Sequence, residues 1–106
     1  KVGSRVEAKF MSMSVELYRA WSAEPAKWRS HAGDMLVSSM TDDHVRRVRE
    51  QIRERADTFA SLYVWGLIYL AGEEAATDLC VLYHANPLDV LAITPVYQAL
   101  EARSEV

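Results

Sequence analysis

The sequence predicts an all-α protein, a compact bundle of about five helices around a long central helix at about 41–71, and expected to be dimeric. Three observations carry that prediction. Apolar residues recur at helical spacing through most of the chain. Helix start and stop signals punctuate it at Thr41-Asp42-Asp43, Gly72, Asn86-Pro87 and Thr94-Pro95. Half of the 106 residues are apolar, more than a chain this short hides comfortably. Area scaling gives ~6,000 Å² folded from ~17,000 Å² unfolded, so part of the apolar excess must meet a surface or a partner.

Taken in order, residues 4–22 read as an amphipathic helix with Val6, Phe10, Met13, Leu17 and Trp21 along one face. Ser22-Ala23-Glu24-Pro25 stops it, and Pro25 suits the first turn of a second helix. That helix carries Trp28, Ala32, Met35, Leu36 and Met40, weakened by Gly33 in its middle.

Thr41 is an N-cap, with Asp42 and Asp43 against the positive end of the helix dipole. From there one long helix is expected to reach Ala71, capped by Gly72. Its first half has a narrow stripe of Val45, Val48, Ile52, Ala56 and Phe59. Its exposed side spaces Asp42–Arg46, Asp43–Arg47, Arg46–Glu50 and Arg53–Asp57 for ion pairs. Its second half, 59–71, is apolar on every side, and such a helix must be buried on every side.

Glu73-Glu74-Ala75-Ala76 opens a further helix to about His84, followed by short helices at about 87–93 and 95–104. Segments 79–83 and 90–94 are also short and apolar enough for a hairpin, but the two cap-and-proline pairs favour helix. The whole chain, 1–106, reads as a single helical domain. It opens on Lys1 rather than methionine; residues 1–4 are a candidate remnant foreign to the natural protein, and Met11 and Met13 are alternative start positions.

Charge narrows the function classes. The net charge is −3, arguing against nonspecific nucleic-acid binding. Residues 1–22 sum to +2 and residues 59–106 to −5. The single cysteine, Cys80, excludes a disulfide scaffold. No signal-peptide pattern opens the chain, and the longest strongly apolar stretch falls short of the ~20 residues a membrane span needs. The expected location is cytoplasmic, with no membrane partner.

Chemistry-bearing clusters are thin. Arg46, Arg47, Arg49, Arg53 and Arg55 could track phosphates, but five carboxylates share residues 41–58 with them, so a solvated ion-pair lattice is the better reading. Cys80 and His84 stand four apart, as a nucleophile and its base would on a helix, yet nothing nearby in sequence orients the pair. His31 with Asp34, and Asp42-Asp43 with His44, include metal-ligand types without zinc spacing. No glycine-rich phosphate loop occurs. The expectation is therefore no catalytic residues, no metal and no cofactor.

What remains is aromatic. Phe59, Leu62, Tyr63, Trp65 and Tyr69 are the expected interface anchors, since aromatic residues lead among interface hot spots. The function read from this is a non-catalytic protein-binding module: a small bacterial-type regulatory or adaptor protein, such as an antagonist sequestering a transcription regulator, acting as a homodimer. Two alternatives stand beside it, a helical nucleic-acid-binding protein using the Arg46–Arg55 face and a phage or assembly structural subunit.

Overall fold

The computed structural model describes residues 2–30 and 33–104. Six helices and one small hairpin build it: α1 (Val2–Ser22), β1 (Lys27–Ser30), β2 (Gly33–Leu36), α2 (Asp42–Glu54), α3 (Ala56–Ala71), α4 (Thr77–Ala85), α5 (Pro87–Ala92) and α6 (Pro95–Ser104). Short 3₁₀ turns at Val37–Ser39 and Glu74–Ala76 complete the path. The all-α class stands, and four of the sequence's cap signals act as read. Thr41 Oγ1 accepts from the His44 N–H. Asn86 Oδ1 accepts from the Leu88 N–H at 3.1 Å. Thr94 Oγ1, fully buried, accepts from the Tyr97 N–H and donates to the Leu91 carbonyl at 2.7 Å. The Gly72 N–H closes α3 on the Ile68 carbonyl. Segments 79–83 and 90–94 are helical, not strands.

The expected helix through Trp28 and Met40 is instead an antiparallel hairpin, with Trp28 opposite Met35 and Arg29 opposite Asp34. The reason lies in Gly33, which holds φ at +110°. A helix would pay for that glycine, whereas a tight return uses it. Side-chain chemistry supports the return: Ser30 Oγ donates to the Gly33 carbonyl, and Arg29 Nε donates to Asp34 at 3.2 Å. Ala32 and His31, the latter a metal-ligand candidate with Asp34, lie outside the described residues.

The long central helix 41–71 is two helices that break at Arg55, whose φ and ψ are −115° and 27°. The break separates two apolar patterns with different neighbours. The narrow stripe of α2, buried Val45, Val48 and Ile52, faces α6. The all-round apolar α3 packs on α1 and α5 and leaves Trp65, Tyr69 and Leu70 exposed. One straight cylinder cannot present both sides to partners in different directions, and the bend resolves the conflict.

The core lies where these helices meet: Trp21, Ile52, Tyr63, Val64, Val90, Leu91, Val96 and Leu100 are all buried. Arg103 ties the last helix to the chain ahead of α2, donating to the Val37 and Met40 carbonyls at 2.7 Å each and to Asp42 at 2.9 Å. Arg49 Nη2 donates to Glu101 Oε1 at 2.9 Å, joining α2 to α6.

Candidate functional site

The crossing of α1 and α3 decides which apolar residues stay outside. The two helices run antiparallel, with Phe10 near Tyr69, Tyr18 against Tyr63 and Trp21 against Phe59. Gly66 sits where the backbones come closest. A Cβ there would fall inside contact distance of the Ser14 carbonyl oxygen and stand 2.5 Å from the Tyr18 Cβ. This notch takes the Ser14 side of α1, so the buried face of α1 is Phe10, Ser14, Leu17, Tyr18 and Trp21. The expected stripe is rotated as a result: Val6 and Met13, read as inward, are 64% and 46% exposed.

The five expected interface anchors divide. Phe59 is half-buried inside the protein, packed on Trp21 and Trp28 at ring distances of 5.2 and 6.4 Å. Tyr63 is buried, its ring 4.7 Å from that of Tyr18 and its hydroxyl sharing a 2.8 Å hydrogen bond with Ser22 Oγ. Burial pushes the Tyr63 phenol pKa up, against the opposing effect of that hydrogen bond. Leu62 is half-buried and lines a cleft of about 350 Å³ with Met13, Leu17 and Trp28. Only Trp65 and Tyr69 face outward, each about 40% exposed. Their rings lie 5.7 Å apart, and Phe10 meets both edge-on at 6.3 and 6.4 Å.

Further exposed apolar side chains lie beside this aromatic trio, among charged ones such as Glu16, Arg19 and Lys27. Leu70 and Met11 are exposed and line, with Tyr69 and Val15, a groove of about 790 Å³ along α1. Val6 stands one helical turn beyond Phe10 on the same helix. Aromatic side chains present up to ~250 Å² each, so Trp65 and Tyr69 leave ~200 Å² open between them. With the exposed parts of Val6, Met11 and Leu70, which lie on both flanks of α1, the open apolar area of this region sums to roughly 450 Å², on the scale of patches that are often functional. The sequence signal for Leu70 and Met11 was present as apolar character alone; Leu70 is open because α3 ends just beyond it, and Met11 lies outside both the expected and the observed inward face of α1.

The other clusters resolve as follows. Asp43 receives both Arg46 and Arg47, and the hydrogen bond from Arg47 with its charge holds the Asp43 carboxyl below its ordinary pKa. Arg49 and Arg53 both reach Glu101. Four of the five arginines of the 46–55 cluster thus pair with carboxylates. Asp43–Arg47 forms as spaced, whereas Asp42 is taken by Arg103 and Arg53 by Glu101. Cys80 and His84 line a cavity of about 240 Å³ with Ser61, Trp65 and Tyr83. The nearby Tyr83 hydroxyl donates to Asp57 at 2.6 Å, which raises the Tyr83 pKa. Among the described residues no group of three or more His, Cys, Asp or Glu side chains is placed to hold a metal ion. No helix among them is long and apolar enough to cross a membrane.

No family model matches this chain, and neither a curated protein nor a solved structure is significantly similar to it.

Proposed function

We propose that the protein is a non-catalytic binding module, a small regulatory, adaptor or antagonist protein that acts by covering or being covered by another protein surface. The observation that carries this reading is the outward-facing pair of Trp65 and Tyr69, held by Phe10 against their edges, with exposed Met11 and Leu70. Large rigid rings offer contact area at low entropic cost, which is why they anchor interfaces. The alternative use of the arginine-rich face on nucleic acid is less favoured, because those arginines already hold Asp43 and Glu101. The test compares proteins retained stoichiometrically by the wild-type chain with those retained by Trp65→Glu. A partner lost with the variant supports the reading; partners retained equally by both, or retardation of DNA or RNA at low salt with no protein bound, refute it.

A further inference from the structure

Resting on that reading, we propose that a second copy of this chain covers the Phe10–Trp65–Tyr69 face, as a two-fold dimer in which the first turns of each α1 lie across the other copy's Trp65, Tyr69 and Leu70. The argument begins with area. The chain exposes 7025 Å², whereas a compact monomer of 12.0 kDa is expected to expose ~6,000 Å². Its radius of gyration is 14.3 Å against ~13 Å for a domain of this length. The excess of ~1,000 Å² is close to the ~800 Å² that each partner contributes to a stable interface.

The projecting start of α1 is one open place. Phe10 meets Tyr69 near the end of α3, so the turns of α1 ahead of Phe10 run past the last residue of α3. Residues 6–9 are all exposed. Within the chain, Val6 has an apolar side chain and little to cover it. A reciprocal crossing meets both needs at once: the projecting turn of one copy lies over the open rings of the other, and the second copy returns the same contact. Closed symmetric dimers are built in this way, each residue pair occurring twice.

Charge agrees with this placement. Residues 1–10 carry Lys1, Arg5 and Lys9 against the single Glu7, a net +2, and exposed Glu73 and Glu74 follow directly after α3. The carbonyl end of α3 adds partial negative charge there. Laying α1 of one copy over the end of α3 in the other brings positive toward negative on both sides of the axis. Placing two copies through α2 instead would bury the exposed Arg46, Arg47 and Asp43, an expensive desolvation.

Sedimentation velocity from 1 to 200 µM, with circular dichroism to verify folding, tests the proposal. The wild type is expected to sediment as a dimer, and Leu70→Glu, at a position already 42% exposed, is expected to weaken dimerisation at least 100-fold while keeping its helicity. In a Cys80→Ser background, mixing Val6→Cys chains with Leu70→Cys chains is expected to give disulfide-linked pairs on oxidation, and Val6→Cys with Ile93→Cys is not. A wild-type monomer at 200 µM, a dimer unaffected by Leu70→Glu, or cross-linking as efficient to Ile93→Cys as to Leu70→Cys overturns it. A monomer that still captures a protein partner through Trp65 sinks the dimer and leaves the binding-module reading standing. A dimer that captures nothing sinks that reading and leaves the dimer.

Discussion

Replacing Gly66 by alanine puts the α1–α3 crossing to its most direct test, because two effects of known size oppose each other there. Alanine is the better helix former by ~1 kcal/mol, and residue 66 lies inside α3. Against that, the added methyl would overlap the Ser14 backbone oxygen and stand 2.5 Å from the Tyr18 Cβ, where ordinary contact begins at 3.4 Å. Neither neighbour is the far end of a flexible side chain, so relief requires α1 to move away by nearly 1 Å. That shift loosens Tyr18 on Tyr63 and Trp21 on Phe59. Overpacking a tight site costs ~1–3 kcal/mol, and the upper figure applies when backbone must move. Gly66→Ala is therefore expected to destabilise by about 2 kcal/mol net, lowering Tm by about 10 °C for a domain of this size. Urea unfolding followed by far-UV circular dichroism reads the difference. An unchanged or raised midpoint would refute the close crossing and the rotation of α1 derived from it.

Three further substitutions probe the surrounding structure. Among the described residues Ser14 Oγ is buried with no hydrogen-bond partner, so Ser14→Ala should raise stability in the same assay by about 1 kcal/mol, since it removes an unpaired hydroxyl and improves helix propensity. A lower midpoint would show that the hydroxyl is satisfied in solution. Arg103→Met removes the donors to the Val37 and Met40 carbonyls and to Asp42, and should cost roughly 2–3 kcal/mol in the same assay; a loss under 0.5 kcal/mol, on the order of ordinary surface changes, contradicts the tie. The Glu101 carboxyl feels burial pushing its pKa up, but the Arg49 and Tyr97 hydrogen bonds and the Arg49 and Arg53 charges outweigh it and hold the pKa below the ordinary 4.5. Its contribution is complete above about that pH and is lost as pH falls through the lowered folded value. Acid titration of stability should thus be flatter in Glu101→Gln, and equal slopes in the two proteins would refute the pairing.

The fold class and the starts of α2, α5 and α6 were legible because caps are local. Thr41, Asn86 and Thr94 each satisfy an N–H within three residues, with little help from tertiary context. The hairpin was not legible, because Trp28 and Met35 are seven apart. That spacing puts two residues on one helical face, and a tight return also sets them side by side across strands. Over ten residues periodicity cannot separate the two arrangements, and only Gly33 leaned toward the return. The break at Arg55 carries no glycine or proline; it arises from α2 and α3 having different neighbours, a long-range fact. Within the candidate site, residues 59–71 have no polar side from which to read direction. Tyr63 points in and Trp65 points out because α1 and α5 cover one side of α3 and leave the other, so composition located the segment but could not sort its residues.

That same geometry couples stability to association in a way that one measurement can separate. The notch at Gly66 sets the rotation of α1, and the rotation seats Phe10 beside Trp65 while turning Met13 to the outside. The seat of Phe10 against the open rings is therefore produced by an internal packing contact. A second copy on this face would make the folded dimer the bound state, and unfolding would then depend on concentration. Wild-type Tm should rise as protein concentration increases from 2 to 200 µM, about a hundredfold change that corresponds to ~2.7 kcal/mol per dimer when the dimer unfolds to separated chains. Leu70→Glu should abolish that slope while leaving the low-concentration Tm near that of the folded monomer. Gly66→Ala should lower Tm at every concentration, because its lesion lies inside each chain. A wild-type Tm independent of concentration, measured by differential scanning fluorimetry across this range, would show that the face is left uncovered by a second copy. The ~450 Å² of apolar surface would then be free for a different protein alone.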